Sequence, residues 1–355
     1  MLAKTMISAS PTARLSIDLA ALSHNYKALK ARAGDAEVAP VVKADAYGLG
    51  MAAIAPYLAH QGARTFFVAR LQEGVALRRL LGADPIIYVL DGLTETAAFA
   101  AHRLRPVLNT PAQYQHWING TGDVTAAVHI DTGMNRLGIR PEEMADLPDA
   151  GSHHLALVMS HLACGDEADH PLNPQQLSAF SAAAARFPRA QKSLANTAGA
   201  WLGPDYGFDL IRPGIGLYGG GPFGAAHADI RTVAHLSARI LQVHHIKAGE
   251  TVGYGATFTA PSDMSLATIG LGYADGLLRS FSGGFVTVRG ERRPLTGRIS
   301  MDLCTCDVSG LEVAADDWVE VLGSSQNLDE VAARAGTIGY ELLTRLGSRI
   351  ARQYT

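Results

Sequence analysis

Short apolar runs separated by longer segments of helical periodicity recur between residues 40 and 212, and this alternation constrains the fold more than any other feature of the chain. Such runs suit parallel strands covered by helices on the outside. Pro40–Lys43, Thr65–Ala69, Ile86–Leu90, Arg105–Leu108, Thr125–Ile130, Leu155–Met159 and Asp209–Arg212 are seven of them, and Lys192–Ala195 is a further candidate. About eight βα units predict an α/β fold with an N-terminal (β/α)8 TIM-like barrel rather than an open sheet. The helices between them are legible, as in Leu19–Ala33, where Leu22, Tyr26 and Leu29 share a face, and in Pro174–Phe187, where Leu177, Phe180 and Ala184 do.

After about Thr232 the texture changes to alternating segments, Ser237–Ile246, Met264–Leu271, Phe285–Arg289 and Trp318–Leu322, broken by Gly and Pro. These predict a mostly β C-terminal domain closed by two short helices, Leu328–Ala335 and Gly339–Arg345. The expected organisation is a barrel over residues 12–232 and a β domain over 233–355, which fits the domain count that 355 residues suggest.

Thirty Lys and Arg against 33 Asp and Glu leave a net charge of -3, which argues against a nucleic-acid or anionic-membrane partner. No apolar stretch reaches the roughly 18 residues of a membrane span. Cys164, Cys304 and Cys306 are too few for a disulfide framework, and no secretory leader is readable over residues 1–12, so the expectation is a cytoplasmic protein.

Three places could carry chemistry. Lys43 lies at the carboxyl end of the first barrel strand, the end where barrel active sites sit; a lysine there either forms a Schiff base with an aldehyde such as pyridoxal phosphate (PLP) or lies on the rim in water. Gly214-Ile215-Gly216-Leu217-Tyr218-Gly219 satisfies the dinucleotide pattern G-x-G-x-x-G, yet Gly220-Gly221-Pro222 follows where a helix should open. Its backbone could instead cradle a single phosphate, or form a plain turn. His161, Cys164, Asp166, Asp169 and His170 invite a metal site but lack clean ligand spacing, and His161 alone could be a hydrogen-bonding group beside a site.

Taken together, eight ordered blocks spanning nearly the whole chain resemble alanine racemases, PLP enzymes built of a barrel and a β domain. The blocks are Val41–Gly50, Asp131–Gly138, Ser160–Ala163, Ala195–Thr197, Arg212–Gly219, Val252–Thr257, Gly272–Gly276 and Gly297–Asp302. The resemblance implies that Lys43 binds PLP covalently and serves one face of the substrate, while Tyr254 from the partner subunit of a homodimer serves the other. Two such groups are what inverting a stereocentre requires. It further implies that Tyr47, Asn196, Thr197, Arg212, Gly214, Ile215 and Tyr340 bind the cofactor, and that Arg136 and the partner's Met301 hold the substrate carboxylate. His161 would support the tyrosine, and Tyr273, Arg298 and Asp302 would form a narrow gate for L- and D-alanine. No metal is implied, and D-alanine for peptidoglycan is the implied product.

Two positions depart from the family pattern. His129 stands where many members carry a carbamylated lysine that orients the arginine matching Arg136, so Arg136 must be held by other means, such as His129 itself or a chloride ion. Ser193 stands where some members have a histidine. Other functions remain open: a broader amino-acid racemase differing at the gate near Tyr273, a related PLP decarboxylase, a PLP-binding protein without turnover, or a barrel metallohydrolase using His161 to His170.

Overall fold

The computed structural model describes residues 11–120, 124–150 and 155–355. They divide into two compact units, one of residues 19–231 and one of residues 11–18 and 232–355. The chain opens on β1 (Ala13–Ile17), which belongs to the second of these.

In the first unit, α1 (Leu19–Ala33) leads into eight parallel strands: β2 (Glu37–Val38), β3 (Thr65–Val68), β4 (Ile86–Val89), β5 (Arg105–Leu108), β6 (Ala126–His129), β7 (Leu155–Met159), β8 (Gln191–Ser193) and β9 (Leu210–Ile211). β3 to β8 pair in sequence order and β2 pairs with β9. The Phe67 amide donates to the Pro40 carbonyl at 3.0 Å and Val42 to Phe67 at 2.9 Å, joining β2 to β3; Arg212 donating to Ala195 at 2.9 Å joins β9 to β8. The sheet therefore closes, and the predicted eight-stranded barrel is present.

The helices α2 (Met51–His60), α3 (Leu71–Leu81), α4 (Thr96–Ala101), α5 (Pro111–Gly120), α6 (Leu172–Ala184) and α7 (Gly199–Leu202) lie between the strands. Strands such as Thr65–Val68 and Ala126–His129 are buried at every residue, which explains why they read as continuous apolar runs instead of alternating ones. Phe66, Phe67, Tyr88, Tyr114 and Trp117 are fully buried, and each such side chain contributes about 1.5–3 kcal/mol of transfer free energy.

The second unit is built on β10 (Ala234–Ile246), whose first half alternates buried and half-buried residues. That half pairs with β1 and β17 (Trp318–Leu322), placing Leu15 and Leu322 both opposite Leu236. Its second half, past a bulge between Ile240 and Gln242, pairs with β13 (Met264–Ile269). The hairpin of β11 (Thr251–Val252) and β12 (Phe258–Thr259) stands apart; β14 (Phe285–Val288), β15 (Glu291–Pro294), β16 (Cys304–Asp307) and β18 (Ala351–Tyr354) complete the eight-stranded sheet. Two helices, α8 (Leu328–Arg334) and α9 (Gly339–Thr344), follow β17.

The expected barrel start at residue 12 is corrected by β1. Its residues alternate buried and half-buried, the pattern of a sheet with one covered face, and it is held between β10 and β18 instead of entering the barrel. No helix among the described residues is long and apolar enough to cross a membrane.

Candidate active site

Lys43 ends the β2 segment and opens a turn that is left-handed over four consecutive non-glycine residues, Ala44, Asp45, Ala46 and Tyr47, with φ between 52° and 57°. Each such residue costs about 1–2 kcal/mol, so the turn persists only because its surroundings over-determine it. Ala46 donates to the Val42 carbonyl at 2.9 Å, the Met51 amide to Asp45 Oδ1 at 2.7 Å, and the Ala44 amide to Glu73 Oε1 at 2.6 Å. Burial lowers the pKa of the Lys43 amine and the Arg136 charge lowers it further, while Glu73 and Asp91 oppose them. An amine shifted this way reaches its nucleophilic neutral form more easily than a surface lysine.

Arg212, at the end of β9, is buried with its guanidinium bracketed on three sides. It donates to the Ser193 hydroxyl, to the Ser160 carbonyl at 2.5 Å and to the Leu194 carbonyl at 3.2 Å. No carboxylate shares these bonds. Burial lowers its pKa to about 9, which leaves it cationic at neutral pH.

Two histidines lie in its field, His129 buried and His161 half-buried. Burial first, then Arg212, lowers His129 to about 4 and holds His161 well below the usual imidazole range, so both rings are neutral. His129 Nδ1 lies 2.9 Å from Asn109 Oδ1, and since Asn109 Nδ2 already donates to the Leu90 and Val107 carbonyls, that nitrogen carries the proton. The Ile139 amide donates to the His129 carbonyl at 2.8 Å, so the loop carrying the exposed Arg136 leaves from and returns to the histidine's backbone. Gln176 donates to Thr132 Oγ1 and to the His161 carbonyl, linking the loops after β6 and β7.

Tyr47, Thr197, Gly214 and Gly216 form a tight group. The Gly214 and Gly216 amides both point at Thr197 Oγ1, at 3.1 and 3.2 Å. A Cβ on Gly214 would land on the Tyr47 hydroxyl, and one on Gly216 would lie 2.7 Å from Thr197 Cγ2. Amides and hydroxyls meet here with no room for side chains, and a small anion such as a phosphate could take over the amides that Thr197 Oγ1 now accepts. Past Gly214 the chain makes only a 3-10 turn, Ile215–Tyr218, ended by Gly219 at φ 99°, so the dinucleotide reading fails for want of a helix. Asn196 turns its Oδ1 to the Gly199 amide at 2.9 Å, at the start of α7.

Tyr254, Tyr273, Arg298, Met301, Asp302 and Tyr340 all lie in the β unit. The Tyr273 amide donates to the Ser300 carbonyl at 3.0 Å and Ala274 to Met301 at 2.9 Å, Arg298 Nη1 lies 3.1 Å from where a Gly255 Cβ would be, and Arg349 pairs with Asp302 at 2.8 Å. Five of the six thus gather on adjoining loops, and Tyr254 and Met301 are 73% and 54% exposed, high for large apolar side chains. Tyr340 stands at the start of α9. Among the described residues no three His, Cys, Asp or Glu side chains converge to hold a metal, so the His161 to His170 cluster does not form one. Glu73, Asn109 and Gln176 escaped the sequence reading, because each carries its weight through contacts that only the fold brings together.

The model of the N-terminal domain of alanine racemases matches residues 17–222, and that of the C-terminal domain matches residues 233–354. The chain belongs to the alanine racemase family. An alanine racemase of Rhodospirillum rubrum is 45% identical over 97% of this chain and 96% of its own, and one of Acidiphilium cryptum is 47% identical over 95% and 97%. The crystal structure of the Bartonella henselae alanine racemase, which carries covalently bound pyridoxal phosphate, superposes with a TM-score of 0.92 at 38% identity, covering 97% of this chain and 99% of that one. Membership in the alanine racemase family accounts for both units at once, the barrel with its buried arginine and the β unit with its exposed tyrosine.

Proposed function

We propose that the protein is a PLP-dependent alanine racemase that interconverts L- and D-alanine with Lys43 on one face of the substrate and the partner subunit's Tyr254 on the other. The observation that carries the reading is Lys43, an amine of lowered pKa on a strained turn whose last residue, Tyr47, closes on Gly214. When bound, PLP supplies an aldehyde for the lysine and a ring that accepts the electron pair left by the departing α-proton.

The residues divide that work. Tyr47, Thr197, Tyr340 and the Gly214 and Ile215 amides would hold the phosphate, the Gly214 amide exchanging the Thr197 hydroxyl for it, with Asn196 bracing the loop beside them. Arg212 would meet the ring nitrogen as a donor that stays charged, which would disfavour a proton on that nitrogen and temper the pull on electrons. That favours brief loss of a proton on one face and gain of another on the opposite face over longer-lived side chemistry. Arg136 and the partner's Met301 amide take the substrate carboxylate. His161, neutral and beside Arg212, supports a tyrosine that must give and take a proton. Tyr273, Arg298 and Asp302 narrow the approach to alanine. A homodimer follows from the second face being served by Tyr254, and D-alanine for peptidoglycan made in the cytoplasm is the product's place in the cell.

The test is purified protein with PLP and L-alanine in deuterated water, with L-serine and L-lysine alongside. Decay to a racemic, α-deuterated mixture for alanine alone supports the proposal. Equal turnover of lysine moves the reading to a broad racemase, and PLP binding with neither exchange nor racemisation overturns it in favour of a cofactor-binding protein.

A further inference from the structure

Glu73 sits in the first turn of α3 and accepts three backbone amides on one carboxylate. Its Oε2 takes Ala69 at 2.8 Å and Arg70 at 3.0 Å, which open the helix, and its Oε1 takes Ala44 at 2.6 Å, from the loop of the neighbouring strand. The first two bonds are what a helix start needs from an acidic residue. The third is surplus to capping, and it falls on the amide directly after Lys43.

One residue earlier, the Val42 amide donates to the Phe67 carbonyl at 2.9 Å. The Lys43 backbone is therefore the single residue between two cross-links to the β3–α3 segment, one to its main chain and one to its carboxylate. The left-handed conformation begins at the residue the carboxylate grips, Ala44 at φ 52°. A non-glycine residue resists that conformation, so its amide needs an acceptor placed by something rigid, and the first turn of a helix is rigid. The same carboxylate opposes the effect of burial and of Arg136 on the Lys43 amine.

We propose that Glu73 is a positioning residue for Lys43, its carboxylate clamping the left-handed turn so that the amine is presented in one fixed direction. The proposal rests on Lys43 being the cofactor lysine, and it extends that reading to a residue outside the site itself.

Glutamine at this position keeps the shape but offers one acceptor oxygen to three amides, so the Ala44 bond and the cap cannot both survive. The experiment compares the holoenzyme with its Glu73→Gln and Glu73→Asp variants by hydrogen exchange resolved to single residues, by PLP release after dilution, and by kcat and KM for alanine. The expected result is exchange at Ala44 and Ala46 faster by about tenfold or more with α3 amides changed by less than about threefold. PLP release should quicken by a similar factor, and kcat should fall about tenfold with KM nearly unchanged. Unchanged exchange at Ala44, or a rise there only in step with α3, overturns the clamp and leaves a helix cap. If the glutamine variant does not fold, the aspartate variant, a methylene too short to span both sets of amides, carries the same comparison. A Lys43→Ala variant that still forms a borohydride-stable link to PLP overturns the lysine reading alone, since exchange at Ala44 reports the clamp independently.

Discussion

Arg212 donates from its guanidinium to the Ser193 hydroxyl, and that hydroxyl in turn donates a hydrogen bond to the Leu210 carbonyl 2.5 Å away. Leu210 lies on β9, the strand that delivers Arg212, so the serine ties the arginine head back to the root of its own strand. A hydroxyl can do this because it accepts and donates at once. A histidine in one tautomer could fill the same two roles, which makes Ser193 a workable departure from the family pattern.

Ser193→Ala should therefore destabilise the fold by about 1–3 kcal/mol, the range for leaving a buried donor and a buried carbonyl without partners. Urea unfolding followed by circular dichroism measures this. A midpoint within error of the parent protein would mean that the Ser160 and Leu194 carbonyls suffice to hold the arginine.

Stability should fall as the pH drops from 6.5 toward 4. His129 has its folded pKa depressed from 6.5 to about 4, so between those values the unfolded chain binds a proton that the folded chain refuses. With more protons bound in the unfolded state, stability rises with pH across that window. His161, shifted in the same direction, adds to the slope. In His129→Gln the slope of unfolding free energy against pH over this window should shrink by about one proton. An unchanged slope would show that the ring is already protonated in the fold.

Gly214→Ala places a methyl group on the Tyr47 hydroxyl, where the glycine now lets the two approach. The backbone there is pinned by the Thr197 hydroxyl, so the tyrosine must move and the anion cradle opens. PLP retention should weaken by about tenfold or more, with the barrel still folded, since the site lies at the end of the strands and not in the core. Gel filtration followed by the visible absorbance of the retained cofactor reads this directly. Full retention would take Gly214 and Tyr47 out of the proposed phosphate group.

Much of the barrel was legible because its strands are buried on both faces, and the β domain because long strands such as β10 alternate. What escaped was held by distant partners. β1 spells Ala-Arg-Leu-Ser-Ile, too short to announce itself, and it becomes a strand through pairing with residues 234–238 and 351–354. The left-handed turn after Lys43 has no local signal, since Ala-Asp-Ala-Tyr contains no glycine; Glu73 and Asp45 impose it. Glu73 reads in sequence as an ordinary first-turn acid, and only the fold brings it to Ala44. Lys43 and Gly214 could be singled out from position in a βα unit, whereas Tyr254, Met301 and Tyr340 came from the family resemblance, because nothing in their own segments distinguishes them from other exposed residues.

The exposed Tyr254 leads to the sharpest prediction about assembly. If the second proton carrier reaches the site from a partner chain, Lys43→Ala and Tyr254→Phe each disable every site in their own homodimer. A mixed dimer then holds one site missing both groups and one site with both intact. With random re-association half of the dimers are mixed, so an equimolar mixture should regain about a quarter of the parent activity. The measurement is racemisation after the two inactive proteins are dissociated and re-associated, with dimers carrying distinct affinity tags isolated to verify mixing. Activity confined to verified mixed dimers supports shared sites, because a chain that supplied its own tyrosine could not recover by exchanging partners. Absence of recovery in those dimers would place both groups on one chain, and the 73% exposure of Tyr254 would then need another cause.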